Sequence, residues 1–399
     1  MKIGFSTSVI QRGQTGIAQY VFALLRAFST EATNERFALF VLENDQDFFR
    51  ELDDRFEIVT VPEKFRPAID NIRWHQTTLP GMARAMDLDV LHVPSYRRLM
   101  WSKPCPLVGT IHDLAPFRVS RKYDLARMFY GRVIVKHLAR RQDEIITVSQ
   151  NTARDIEQFF HLRRQDLRVI HNGIEHDRFF PRASDEARAF SAQKYRLNKP
   201  FFLYVARLEH PGKNHRRLIE AFEHFKEQTG SDWILAFGGS DWHGAELIHA
   251  RIAESAYGSD IRTLGFVSND DLPQLYSAAE AFVYPSLYEG FGLPPLEAMA
   301  CGCPVISSDR GSLAEVVGDA AWIVEPEDVE DICDALLKLY SEPKSRAALV
   351  QKGLAHSKEF SWERAARETL AVYRMALQKA TRRKTDALRT LDSVPLQRD

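Results

Sequence analysis

Short apolar runs bounded by Gly, Pro, Asn or Asp alternate along this chain with longer stretches whose apolar residues recur every three to four positions. The first pattern predicts strands and the second amphipathic helices, and their alternation predicts βαβ units stacked around parallel sheets. In the first half "KIGFS", "FALFVL", "FEIVTV", "VLHVP", "PLVGTIHD" and "EIITVS" read as strands. The intervening "GIAQYVFALLRAFST" reads as a helix with Ile17, Tyr20, Val21, Leu24 and Leu25 on one face. After "VIHNGIEHDRFFP" the pattern lapses, and residues 182–199 read as a polar linker closing a first domain, 1–181. Pro200 then opens a second set over 200–362: "PFFLYVAR", "WILAFGG", "IRTLGF", "AFVYPS", "PVISSD" and "AAWIVEP". Residues 363–380 have the period of a long helix expected to cross back to the first domain, and 381–399 are expected to be disordered.

Composition narrows this picture only a little. The 399 residues exceed one ordinary domain, and 45% hydrophobic with 27% charged residues is normal for a globular protein. A net charge of −1 names no partner and disfavours a nucleic-acid binder. Cys105, Cys301, Cys303 and Cys333 have no metal-ligand spacing beyond a lone CxC, so reduced structural thiols are expected. Polar residues interrupt the apolar start "MKIGFSTSVI", and no stretch approaches the roughly 20 apolar residues of a spanning helix. A cytoplasmic protein is expected, in solution or peripheral on the inner face of the membrane. Two similar open sheets also imply a ligand cleft at their carboxyl ends.

Four segments carry candidate chemistry. In "SLYEGFGLPPLEAMACGCPVISSD", Glu289 and Glu297 flank a turn in which Gly290 and Gly292 free the backbone. Pro294 and Pro295 suit the first turn of a helix whose exposed N-terminus favours an anion, and Gly302 suits its end. The two acids either accept hydroxyls of an elongated ligand, or are a solvated loop acid and a first-turn Glu complementing the helix dipole. In "YVARLEHPGKNHRRLIEAF", Arg207 ends a strand and Lys213 precedes a helix. Two cations on one such loop can grip a diphosphate, or simply face solvent; no Walker sequence is present.

The other two segments are weaker taken singly. In "QRGQTGIAQY", Gly13 and Gly16 lie between the first strand and first helix, where amides can approach a phosphate, though GxGxxG is absent. In "VGTIHDLAPF", His112 and Asp113 follow a strand at its carboxyl end, where a His bonds a sugar or phosphate, or serves structure alone. Ser149 and Asn151 suit caps for the helix "TARDIEQFF".

Together and in this order, "EGFGLPPLE" (an E-x7-E pair), "ARLEHPGKNHRRLIEAF", "TIHDL", "VIHNGI" and the late "FSWERAA" resemble the family 4 retaining glycosyltransferases of the GT-B fold over roughly residues 1–375. The resemblance implies an α/β protein of two Rossmann-like parallel-sheet domains facing each other across a cleft. The first would bind acceptor and the second the nucleotide diphosphate sugar. It implies that Glu289 meets the donor sugar and Glu297 the ribose, and that Arg207 and Lys213 neutralise the diphosphate. His112 would stand near the sugar's reactive carbon. Phe291, Gly292 and Leu293 would offer backbone to sugar and phosphate, with Gly16 against the diphosphate and Phe266 beside the base. The resemblance also implies no cofactor or metal, and no DxD-type pair marks a strand end beside the cleft; Asp53 and Asp54 read as surface. Ala18 and Gln19 stand where many relatives have Gly and Arg, which departs from the pattern.

The resemblance lies nearest to bacterial mannosyltransferase-like members of surface polysaccharide synthesis, which implies a GDP-mannose donor and a glycan or lipid-linked acceptor. A UDP-sugar or deoxysugar transferase, a sugar-nucleotide epimerase and a non-catalytic binding module are the alternatives. Residues 97–141 are strongly basic and interleaved with Trp101, Phe129 and Tyr130, which suits an anionic membrane surface or lipid diphosphate, or else a solvated basic face.

Overall fold

The computed structural model describes residues 1–13, 15–32, 34–118 and 129–392. The chain folds as two compact units. Residues up to Phe117, the stretch 129–171 and the C-terminal helix from Trp362 form the first; Asn172–Ser361 form the body of the second.

The first unit holds β1 (Lys2–Ser6), β2 (Arg36–Leu42), β3 (Phe56–Val61), β4 (Val90–Val93), β5 (Leu107–Ile111), β6 (Glu144–Thr147) and β7 (Leu167–Val169). They form one parallel sheet in the order β3-β2-β1-β4-β5-β6-β7, with Ile3 set between Phe37 and Val90. The second unit holds β8 (Phe201–Val205), β9 (Ile234–Gly238), β10 (Ile261–Gly265), β11 (Ala281–Tyr284), β12 (Val305–Ser308) and β13 (Ala321–Val324), ordered β10-β9-β8-β11-β12-β13. Helices cover both faces of such sheets, which is why strands such as β2, buried from Phe37 to Leu42, are apolar at every position. In both sheets strand addition reverses once, between β1 and β4 and between β8 and β11. Loops leaving those strand ends diverge, and the crevice they leave is where open α/β sheets bind ligands.

On one face of the first sheet Phe40, Leu91 and Val93 pack with Trp74, Leu79 and Met100; Leu99, Ile111, Val135, Ile145 and Phe160 belong to a second cluster. Helix Gly16–Glu31, capped by Thr15 accepting from the Ala18 amide, buries Val21, Leu24, Leu25 and Phe28; Ile17 is only half-buried at its first turn. The C-terminal helix Trp362–Asp392 packs on it, with the Tyr20 and Trp362 rings 5.8 Å apart and Arg367 paired to Glu31 at 3.0 Å.

Three sequence-based expectations differ from what is found. Leu167–Val169 is a strand, paired to β6, that the pattern did not mark. Residues 182–199 contain the helix Ser184–Tyr195, and the compact units part at His171 and Asn172. That helix presents small Ala187 and Ser191 inward and is fastened by Lys194 and Tyr195, each 2.6 Å from Asp271, so it lacks the apolar stripe that would have betrayed it. Third, the C-terminal helix runs on to Asp392, with Arg383 paired to Asp143 at 2.7 Å; residues 393–399 lie outside the described residues.

Candidate active site

In the second unit, the reversal between β8 and β11 gathers the strongest candidates. The chain leaving β8 turns through Pro211 and Gly212 and presents Lys213; the chain leaving β11 runs through Ser286 to Glu289. Lys213 Nζ lies 2.6 Å from Glu289 Oε1, which also accepts from Ser286 Oγ at 2.6 Å and Tyr284 OH at 3.0 Å. All three donors converge on Oε1, so Oε2 has no donor among the described residues. Burial alone would raise the Glu289 pKa, but Lys213 and the hydrogen bonds outweigh it and hold it low. Burial alone would lower that of Lys213, but Glu289 outweighs it and holds it high. The site is thus an ionised pair with a free carboxylate oxygen. The Lys213 ammonium spends one hydrogen on Glu289 and one on Tyr284 OH at 3.3 Å, leaving a third.

Backbone contacts the sequence did not announce hold this pair in place. Gly311 sits so close that a Cβ on it would lie 2.4 Å from the Glu289 carbonyl oxygen, and its φ of +64° already favours glycine. Ser312 Oγ donates to the carbonyls of Glu289 at 3.1 Å and Phe291 at 2.7 Å. Buried Asn214 donates to the carbonyls of Pro285 (3.0 Å) and Pro326 (2.6 Å), tying the Lys213 loop to the chain leaving β11. Gly292, with φ +111°, precedes the helix Leu293–Ala300, and a Cβ there would lie 2.7 Å from Leu313. Gly302 follows that helix at φ +75°.

Glu297 lies in the same helix. Half-buried, it accepts from Tyr276 OH at 3.1 Å, and desolvation lifts its pKa to about 7. Phe291 is buried against Phe360, whereas Phe266 is 70% exposed beyond β10. Arg207 is exposed, its guanidinium 4.5 Å above the Trp242 ring. Lys213, Glu289, Phe291, Gly292, Leu293 and Glu297 therefore belong to one pair of loops and one helix; Arg207 opens the same β8 loop that carries Lys213, and Phe266 follows β10, another strand end of the same sheet.

His112 and Gly16 belong to the first unit. His112 Nε2 donates to the Pro94 carbonyl at 3.2 Å, an assignment that follows from the acceptor-only carbonyl, and its ring meets Tyr20 edge-on at 4.6 Å. Burial lowers its pKa to about 4, so the ring is neutral and Nδ1 keeps its lone pair. Gly16 is exposed and a Cβ there would meet nothing within 4 Å, so neither packing nor φ demands glycine. All four cysteines are free, with Cys301 and Cys303 buried behind the helix that carries Glu297. Among the described residues no group of His, Cys, Asp or Glu could hold a metal, and no helix is long and apolar enough to cross a membrane.

Two doubly wound parallel-sheet units, one with an ionised Lys–Glu pair at its strand reversal, define the class: a GT-B glycosyltransferase fold. The model named Glycosyltransferase Family 4 matches residues 15–178, and that named Glycosyl transferases group 1 matches 185–356. O-antigen chain mannosyltransferase B of Escherichia coli is 34% identical over 269 residues, covering 67% of this chain and 70% of that protein. The chain belongs to the family 4 glycosyltransferases. The serotype-specific mannosyltransferase WbdA of Escherichia coli is 31% identical over 292 residues, 71% of this chain, but the match spans only 35% of that longer protein. Among solved structures, sucrose-phosphate synthase from Thermosynechococcus elongatus superposes with a TM-score of 0.77 at 21% identity, covering 95% of this chain and 100% of the other.

Proposed function

We propose that this chain is a retaining hexosyltransferase that moves mannose from GDP-mannose to a hydroxyl of a glycan or lipid-linked glycan in surface polysaccharide synthesis. The observation that carries the reading is the Lys213–Glu289 pair, with one carboxylate oxygen and one ammonium hydrogen left open. Mannosyltransferase relatives support the choice of sugar. In this reading Glu289 takes a donor-sugar hydroxyl and Glu297 the ribose. Lys213 and Arg207 receive the diphosphate as it departs, aided by the backbone of Phe291, Gly292 and Leu293. Phe266 borders the base. Gly16 and neutral His112 serve sugar and phosphate from the first unit, which takes the acceptor. The acceptor hydroxyl attacks from the face the diphosphate leaves, passing its proton to that phosphate and retaining the anomeric configuration. No metal or other cofactor takes part.

The basic segment supports a cytoplasmic protein that is peripheral on the membrane. Trp101, Phe129 and Ile134 are exposed among Arg132, Lys136 and Arg141, an arrangement that fits an anionic surface. Residues 119–128 of that segment lie outside those described.

A thermal-shift panel of GDP, UDP, dTDP and ADP with their sugars tests the donor, because a ligand binding only the folded state raises its melting temperature. GDP and GDP-mannose are expected to give the largest shifts, and transfer to yield an α-mannoside detected by NMR. A preference for UDP-sugars, or an inverted product, would remove the corresponding part of the proposal.

A further inference from the structure

The strand reversal of the first sheet, between β1 and β4, is the topological counterpart of the one that carries Lys213 and Glu289, and it too holds a cation. Arg98 lies in the turn that follows β4 and is only 9% exposed. Its Nε donates to Asn71 Oδ1 at 2.5 Å and Nη1 reaches the Arg97 carbonyl at 3.4 Å, while Nη2 has no partner among the described residues. None of these acceptors is charged. The acids of the adjoining turn are already taken, since Arg66 pairs with Asp45 at 2.9 Å and with Glu63.

The groups packed beside Arg98 cannot neutralise it either. His75 Nδ1 must donate to the Asn71 carbonyl at 2.7 Å, so its Nε2 accepts from Ser6 Oγ at 2.9 Å, and burial keeps that ring neutral with a pKa near 3. Asn71 Nδ2 is turned to the carbonyls of Phe65 and Ser8 at 3.0 and 3.5 Å, which points its Oδ1 at the guanidinium. Burial lowers the Arg98 pKa to about 10, with Arg97 repelling further, yet it remains a cation at neutral pH. Arginine is almost never this buried without a counter-charge, because desolvating an unpaired ion is costly. Here Nη2 is unsealed, so an anion from outside can supply the missing charge.

We propose that Arg98, held by Asn71 at the β1/β4 reversal, is an oxyanion subsite of the acceptor, so that the acceptor carries a phosphate or carboxylate group. The occupant, though not the site, rests on the glycosyltransferase reading. A guanidinium with a free Nη2 edge suits a phosphate or carboxylate oxygen. Both sources share that chemistry, and the test separates them.

The experiment titrates the full chain, with GDP saturating so that diphosphate sites elsewhere are filled, against inorganic phosphate, inorganic pyrophosphate, glucuronate and neutral glucose, by calorimetry. Wild type is expected to bind a phosphate or glucuronate but not glucose, the phosphate arms marking a phosphorylated acceptor and glucuronate an acidic sugar. Arg98→Gln should weaken that binding by about tenfold or more and Arg98→Lys by less, with GDP affinity unchanged in both. The proposal is overturned if wild type binds neither anion, or if the variants bind it as wild type does. Should Arg98→Gln not fold, the wild-type titration and Arg98→Lys still decide. Failure of GDP to bind wild type would sink the donor reading instead, and the anion titrations repeated without GDP then judge Arg98 alone.

Discussion

Lys213 Nζ stands 2.6 Å from Glu289 Oε1, joining two loops that leave β8 and β11, strands that lie side by side in the sheet. Both side chains are largely buried, so neither charge is well solvated without the other. Removing both members should therefore cost less than the sum of removing each alone. Lys213→Ala and Glu289→Ala are each expected to lose about 3 kcal/mol of stability, with the double variant well short of the sum. Urea denaturation of the four proteins measures this, and additive losses would show the pair to be uncoupled. Transfer by Lys213→Ala should fall by a factor on the order of 100 to 1000 through lost stabilisation of the leaving group. Unchanged turnover would remove Lys213 from that role.

Gly311 acts on the same carboxylate through the backbone. Any side chain there must take up a φ of +64° and push on the Glu289 carbonyl and amide, 2.4 and 2.7 Å from the added Cβ. Gly311→Ala is expected to destabilise by about 3 kcal/mol and to lower kcat by displacing Glu289, although residue 311 offers no functional group itself. Ser312→Ala, which removes hydrogen bonds to the carbonyls of Glu289 and Phe291, should show the same defect in milder form. Normal kcat in folded Gly311→Ala would mean that the loop tolerates the shift.

These two cases show what could be read from the chain and what could not. Twelve of the strands are visible as apolar runs, most of them because they are buried on both faces; β3, β10 and β13 keep exposed positions and are marked by β-branched and apolar residues instead. β7 escaped, being three residues long with Arg168 at its centre, and so did Ser184–Tyr195, whose inward face is only alanine and serine. Glu289, Lys213 and Glu297 stand out because glycines, prolines and charges cluster at strand ends. Gly311, Ser312, Tyr284 and Asn214 act by a missing Cβ, a hydroxyl or an amide reaching across to a distant loop, which leaves no periodic mark. Arg98 is the sharpest instance: within a basic segment it looks like one more solvated cation, and only burial sets it apart.

Glu297 gives a pH test. Its pKa rises from 4.5 to about 7 on folding, chiefly by desolvation. The folded state then binds the proton more tightly, so this stabilisation is complete below pH 4.5 and is lost as pH rises through 7. Glu297→Gln mimics the protonated acid and does not titrate. Relative to this variant, ligand-free wild type should lose stability between about pH 5 and 7.5, read by urea denaturation at each pH. Parallel curves for the two proteins would contradict the assignment.

The exposed Trp101, Phe129 and Ile134 predict binding to vesicles containing acidic phospholipid at low salt, weakening as salt screens the basic residues around them. Flotation measures it. Phe129→Ser with Ile134→Ser should reduce the floated fraction without changing the melting temperature, since neither side chain is part of the core. No flotation by wild type at low salt would remove the membrane from the proposal.

Acid should unfold the chain through its buried imidazoles. Burial lowers the pKa of His75, His92 and His215 to about 3 and that of His112 to about 4, from 6.5. Each is held neutral inside, His92 between Tyr373 OH at 2.6 Å and Thr110 Oγ1 at 2.8 Å. A depressed folded pKa contributes stability above 6.5, lost as pH falls toward the folded value. Near pH 5.5 the unfolded chain therefore takes up a proton at each of these four sites, while Glu297 releases the one it holds. These five groups together should absorb about three protons net on unfolding there, and His210, also lowered by burial, adds to that uptake, measured from the dependence of calorimetric enthalpy on buffer ionisation heat. His92→Gln should absorb about one fewer. An uptake near zero would mean that these rings are already charged in the folded protein.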